Sequence, residues 1–411
     1  MGRNVVAAHS ILHGRDALSL KPAFLESVEQ SLEGESVAAR LATGNLCILD
    51  AVEARRIESA NFANSPMPER MFAGSGDVVL WRDIRREVQG RFARMLTEEF
   101  VRDYHARLRD ALLQGDQTET DLTRHIVHQV CQSAIPFVFS EFDEQRHHIL
   151  IEDQQSKIAG FLPSGEVPRH RLASIWQQVS AGFCVRRLLR ARRGQNYSSG
   201  DDGAQAVLDF GNALTKGQAA YACMTLLTAL AGAPGASGAC LAFELAWRPA
   251  VQGAIREEMA ALDDHTFFAA PVRSAPYTAR VVREVMRLWP FPLVTSRLAR
   301  AECAVADDRI APGDIYHLSA YFTHRMSTAW DRPEDFDPSR WESTSRPNTQ
   351  YVPFGWSARS CPGASLGLMQ MMVLARIFAC DIELKLVQKP EMGLFGTPLP
   401  ANFTGTIVPR A

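Results

Sequence analysis

Apolar residues recur at helical spacing through the middle of the chain. Between residues 121 and 139, Leu122, Ile126, Val127, Val130 and Ile135 fall on one stripe, which predicts a helix with that stripe inward. The same period predicts helices over 144–161 and 169–193, joined by a loop over 163–168. It predicts further helices over 216–247 and 277–289, and a short amphipathic one over 21–32. Alternation replaces this period near the two ends. Residues 36–49 alternate about Thr43-Gly44-Asn45, which predicts a strand hairpin, and Asp50 then caps a helix to about residue 59. Residues 310–321 read as a hairpin and strand, and 382–387 and 403–408 as strands. Helical periods outnumber alternating ones, and length alone suggests two or three domains. Residues 1–60 and 300–411 carry most of the β structure, and 70–290 are mostly helical. The stretch 62–80 is loop-like.

Composition narrows the classes of function. A 46% hydrophobic chain of 411 residues can bury a large core, and a net charge of -2 does not suit a general nucleic-acid binder. The eight cysteines include no Cys-x-x-Cys pair, so neither a zinc site nor a disulfide framework is indicated, and a reducing cytoplasm is expected. The most apolar run, 219–245, is broken by Gly232, Pro234, Gly235 and Gly238 and contains Glu244, so it reads as a buried core helix and not a membrane span. No signal peptide is read at the N-terminus. His125 and His128 lie three apart without a third ligand nearby and read as structural. The run Arg186, Arg187, Arg190, Arg192 and Arg193 reads as cations closing a helix before a capping Gly194.

Candidate chemistry concentrates at Cys361. Leu366, Met369, Gln370, Val373 and Leu374 predict a helix just after it, with Pro362 at its first position and Cys361 at the cap, where the helix dipole favours a thiolate. Gly363 permits close approach of a flat ligand, and Arg359 offers a fixed cation to a carboxylate. Read alone, Cys-Pro-Gly fits equally a buried structural cysteine. Together, Phe354, Arg359, Cys361 and Gly363 resemble the haem-binding loop of the cytochrome P450 family, Phe-x-x-Gly-x-Arg-x-Cys-x-Gly. Ser357 stands where that pattern has glycine.

The resemblance implies a single domain over 1–411 with the P450 fold, mainly α with a small mixed β-sheet region in a helix-rich triangular prism, and haem b held by Cys361 as axial ligand. It implies that Trp81 and Arg85, four apart on a helix, hold a propionate together with Arg297 and Arg359. It further implies a structural network of Glu284, Arg287 and Arg340, and a substrate pocket lined by Ala231, Leu293, Val294 and Phe395. On the central helix the family carries an acid next to an alcohol, where this chain has Gly232, Ala233 and Pro234. Pro234 predicts a kink, with Gly232 and Gly235 opening a groove beside it. Thr228 and Ser237 are the nearest hydroxyls. Gly367 and Gln370 also depart from the family's usual alanine and glutamate.

The implied function is oxidative tailoring of a small organic molecule in specialised metabolism. A non-monooxygenase haem-thiolate reaction (rearrangement, dehydration, coupling or peroxide-driven) and a non-catalytic haem sensor or carrier are the alternatives. A ferredoxin or flavodoxin-type donor docking near Arg82, Arg86 and Arg91, a monomeric cytoplasmic enzyme, and no membrane or nucleic-acid partner complete the expectation.

Overall fold

In the computed structural model, which describes residues 5–7, 36–41, 44–62, 79–114, 119–159, 171–194, 201–342, 349–356, 360–394 and 397–410, the alternating and the helical segments separate into two units. The segments expected at 21–32, 62–80 and 163–168 lie wholly or mostly outside the described residues.

The first unit comprises 1–63, 279–361 and 392–399. The expected N-terminal hairpin forms: Ala38 pairs with Ile48 and Arg40 with Leu46, antiparallel. Gly44 turns it at φ 84°, a conformation that side chains other than glycine rarely adopt. The five-stranded sheet runs Val5–Ala7, Ala38–Arg40, Leu46–Ile48, Ile315–Leu318, Thr295–Leu298. Successive residues point to opposite faces, and both faces are covered. Ala39, Cys47 and Leu49 pack with Leu293 and Phe322, while Ala38, Leu46 and Ile48 pack with Tyr316 and Leu318. Asp50 caps the helix Ala51–Asn61 by accepting from the Glu53 N–H.

One expected hairpin is corrected here. Asp308–Ile310 pairs with Cys303–Val305, whereas Ile315–Leu318 joins the main sheet antiparallel to Thr295–Leu298. The turn between them links two sheets. The reason lies in its hydrogen bonds. Ala299 N–H donates to Asp314 O at 2.8 Å and Gly313 N–H to Ala299 O at 2.9 Å, extending the pairing with the 295–298 strand.

The second unit comprises 64–278, 362–391 and 400–411. Its longest helix, Lys216–Ala246, starts with a reciprocal capping box between Thr215 and Gln218. It continues helically through Pro234. Proline removes one hydrogen-bond donor there, yet the expected kink does not end the run. Gly235 has a different role from the one its sequence context suggested. A Cβ on it would stand 3.0 Å from Val127 O and 3.1 Å from Val127 Cα, so its bareness admits the helix Leu122–Ala134 and opens no groove. A Cβ on Gly238 would meet only Leu374 Cδ1 this closely, at 2.9 Å. Leu122, Ile126, Val127, Val130 and Ile135 are buried, as their spacing predicts.

The helices Lys216–Ala246 and Ala364–Asp381 are long and apolar enough, by composition, to cross a membrane; more than half of each apolar window is buried inside the protein (53% and 61%). Of the basic run, Arg192 turns inward and pairs with Glu141 and Asp202. His125 Nε2 lies 3.0 Å from Leu112 O, a structural contact, and among the described residues no three metal-ligating side chains gather. Ile382–Leu386 and Thr404–Pro409 pair antiparallel as expected.

The two glycines separate backbone from side-chain crowding. Gly235→Val should destabilise by about 1–3 kcal/mol, because the Val127 backbone cannot rotate away. Gly238→Ala should be near neutral, because a leucine methyl can rotate and alanine favours the helix by about 1 kcal/mol. Urea unfolding of both variants checks the contrast.

Candidate functional site

In the first unit the chain leading to Cys361 is pinned residue by residue. Gln350 Oε1 accepts from Ala51 N–H at 2.7 Å and Gln350 Nε2 donates to Asp50 Oδ2 at 2.8 Å. Val352 N–H donates to His324 Nε2 at 2.8 Å. Gly355 reverses the chain at φ 97°, and Cys361 N–H then donates to Phe354 O at 2.7 Å. Gly355 is a turn glycine the motif pattern did not single out. Ser357 and Arg359 lie outside the described residues, as does Phe395. The helix begins at Ala364 with Gly363 as its N-cap. Pro362 is therefore not its first residue, and Cys361 precedes the cap by two positions. The cause is the turn at Pro362 and Gly363, whose ψ of 19° is not yet helical.

Exposure separates Cys361 from the other cysteines. Of the eight, it alone is exposed. Burial pushes the Cys47 thiol up to about 12 and raises Cys131, Cys223 and Cys240 as well. A metal ligand must be a thiolate, so those buried thiols are poor candidates. Nearby, the indole N–H of Trp356 is buried without a partner among the described residues, a donor that sequence reading missed. Arg297 lies on the strand Thr295–Leu298, with Nε 3.4 Å from Glu58 Oε2 and 22% side-chain exposure. Leu293 is corrected from pocket lining to core. It is 1% exposed and packs with Leu49 and Phe322, while Val294 is half-buried against the same cluster.

Behind this loop lies a carboxylate with no water. Glu284 and Arg287 are fully buried, paired at 2.9 Å through Oε1 and 3.0 Å through Oε2. Arg340 Nε donates to the same carboxylate at 2.9 Å, Trp341 Nε1 at 2.9 Å and Asp337 N–H at 3.0 Å. Arg287 spends its remaining donors on the carbonyls of His324, Pro333 and Asp335. The three residues grouped from sequence thus meet in space. His324, which sequence reading did not select, ties this network to the cysteine loop. Its Nδ1 lies 3.0 Å from Arg287 O and its Nε2 accepts from Val352 N–H. That arrangement requires the neutral ring protonated at Nδ1. Burial lowers its pKa to about 3, helped by the charges of Arg287 and Arg325.

In the second unit, Trp81 and Arg85 occupy the first two turns of the helix Trp81–Met95, both half-buried. The Trp81 ring packs on Tyr221 of the long helix, centroids 5.9 Å apart. On that helix Gly232, Ala233 and Pro234 are half-buried; of Ala231 only the backbone is described. Arg91, expected to meet a redox partner, is instead engaged by Glu87, Asp201 and Asp209 and is 13% exposed, because three carboxylates surround it. Arg82 and Arg86 remain exposed, each 3.5 Å from Asp83.

Residues 201–388 match the family model described as cytochrome P450. The whole chain also superposes on a retinoic acid-bound cyanobacterial P450, CYP120A1, with TM-score 0.78 and 18% identity, covering 100% of both chains. This chain has the fold of that P450, as the superposition shows. It is similar to cytochrome P450 monooxygenase FSL4 of Gibberella zeae, 29% identical over 36% of this chain and 28% of that protein. It is similar to sterol 14alpha-demethylase of Mycobacterium tuberculosis, 28% identical over 29% of this chain and 28% of that one. Dimethylnonatriene synthase of Arabidopsis thaliana is 35% identical over 26% of this chain and 22% of its own length. The chain thus spans under a third of the length of these curated relatives. Haem is the cofactor of the family whose model residues 201–388 match. The residues present fit it: an exposed thiol on a backbone-pinned loop, an unpartnered buried indole N–H and a part-exposed guanidinium.

Two measurements follow from the buried network. Glu284→Gln removes a charge that Arg287 and Arg340 share, and should cost about 3–5 kcal/mol by urea unfolding. For His324 the unfolded ring takes a proton near pH 6.5 while the folded ring does not until about pH 3. Protonation therefore favours unfolding, and stability falls as pH drops across that window. Between pH 7.5 and 5.0 wild type should lose up to about 2 kcal/mol more than His324→Gln, which keeps a donor and an acceptor but does not titrate.

Proposed function

We propose that the chain is a haem-thiolate oxidoreductase that oxidatively tailors a small organic molecule in specialised metabolism. The observation that carries this reading is the exposed Cys361 thiol, set by its own backbone bond to Phe354 on a loop anchored to a buried ion network. In this reading Cys361 ligates the iron, and Gly363 leaves room beside the macrocycle. Trp81, Arg85, Arg297 and Arg359 donate to the propionates, the cation–carboxylate pairing that guanidinium forks suit. Bound through a thiolate, the haem supplies the electron-rich iron that favours cleavage of an O–O bond. The protein orients the substrate and controls water. Electrons come from a small ferredoxin or flavodoxin-type donor, for which exposed Arg82 and Arg86 are the basic contacts.

Gly232, Ala233 and Pro234 favour a second reading. None of the three carries a side chain that can hold or move a proton. Either a substrate group or water does this, or the reaction is a rearrangement, dehydration, coupling or peroxide-driven one. Names among the relatives include a monooxygenase and a synthase.

The reduced, carbon monoxide-bound protein should show the red-shifted Soret band of thiolate ligation, and Cys361→Ala should abolish it; persistence of the band in that variant sinks the ligand assignment. With oxygen-18 gas, monooxygenation predicts one labelled oxygen in the product, and turnover with unlabelled product supports the second reading.

A further inference from the structure

The helix Glu144–Ala159 carries a charged pair against the long helix, and its polar atoms are not all used. Asp153 is 2% exposed. Its Oδ2 accepts from Lys157 Nζ at 2.7 Å, one turn further along, and from Gln154 Nε2 at 3.0 Å. Lys157 Nζ also donates to Thr228 Oγ1 at 3.0 Å, and Thr228 donates in turn to Met224 O at 2.9 Å. An ammonium has three N–H donors, and two are accounted for. Gln154 is 2% exposed, and its carbonyl oxygen has no partner among the described residues. One donor and one buried acceptor therefore stand unused beside a single carboxylate oxygen. Thr228 itself is exposed, on a strip with Thr225 and Ala229 that leads to half-buried Gly232. Thr228 and Gly232 are four apart, hence on one face.

The Asp153 side chain is 3% exposed and the Lys157 side chain 26%, so the pair is buried at its carboxylate and reachable at its ammonium. We propose that Lys157, Asp153, Gln154 and Thr228 form a docking point for a hydroxyl group of a neutral substrate. The hydroxyl oxygen accepts the unused Lys157 proton, and the hydroxyl proton answers the Gln154 carbonyl, directly or through one water. Asp153 already neutralises Lys157, so a carboxylate gains no net attraction here, and a hydrocarbon lacking the oxygen leaves the donor unpaired. Thr228 and Asp153 are positioning residues that aim Lys157. The inference rests on the haem-enzyme reading only for its spectroscopic readout.

The test uses the haem-loaded full chain and probe pairs differing by one hydroxyl: indane with 1-indanol, and ethylbenzene with 2-phenylethanol. Binding is followed by Soret shift and, independently, by calorimetry. Wild type should bind each alcohol about tenfold more tightly than its hydrocarbon, the worth of one hydrogen bond to a charged donor. Lys157→Met and Thr228→Val should erase that ratio, and Thr228→Ser should restore it. Thr228→Val keeps the ion pair, so the test survives if Lys157→Met does not fold. A wild type that binds both members equally, or neither, overturns the proposal, as do variants that keep the ratio. A purely structural pair would lower the unfolding midpoint of Lys157→Met and leave the ratio intact. Failure of the haem reading shows separately, as a missing thiolate band in wild type, and calorimetry still decides the docking point.

Discussion

Much of the first unit depends on one buried carboxylate. Glu284 has no access to water, and an isolated charge in that position would be prohibitive. Its survival requires Arg287, Arg340, the Trp341 indole and the Asp337 backbone to converge on it. That requirement in turn fixes the carbonyls that Arg287 engages, and through His324 it reaches the backbone of Val352. The loop bearing Cys361 is therefore positioned by electrostatics located nine or more residues away along the chain. A thiolate ligand needs such rigidity, since the metal bond tolerates little displacement.

The second unit is organised by steric exclusion rather than by charge. Gly235 lets the Leu122–Ala134 helix approach the long helix to backbone contact. Pro234, next to it, forfeits one donor without ending the helix. The half-buried strip at Gly232 to Pro234 thus adjoins a tightly closed face. Polar chemistry absent from that strip is found instead one turn earlier, where Lys157 reaches Thr228 from a neighbouring helix.

Much of this was legible beforehand, for identifiable reasons. Period-3.6 stripes located the main helices, because burial of one face sets the spacing. Asp50 and the Gly44 turn announced themselves through local backbone bonds. Errors came where partners are distant in sequence. Residues 310–321 were read as a hairpin and strand because strand partner choice is non-local, and Ala299 decided it. Leu293 was read as lining because its apolar character suits core and pocket alike. Arg91 was read as a free cation because Asp201 and Asp209 are more than a hundred residues away.

The order of Glu284, Arg287 and Arg340, the cysteine before a helix, and the identities of Gly232, Ala233 and Pro234 on the long helix were determined by sequence alone, since each is a matter of residue identity and order. Only the tertiary structure decided that Gly235 serves packing, that His324 must stay neutral between Arg287 and Val352, and that Lys157 stands beside Thr228. Each of those depends on which atoms meet across long chain separations, and a carbonyl, a ring nitrogen or an ammonium leaves no periodic trace by which the sequence could reveal its partner.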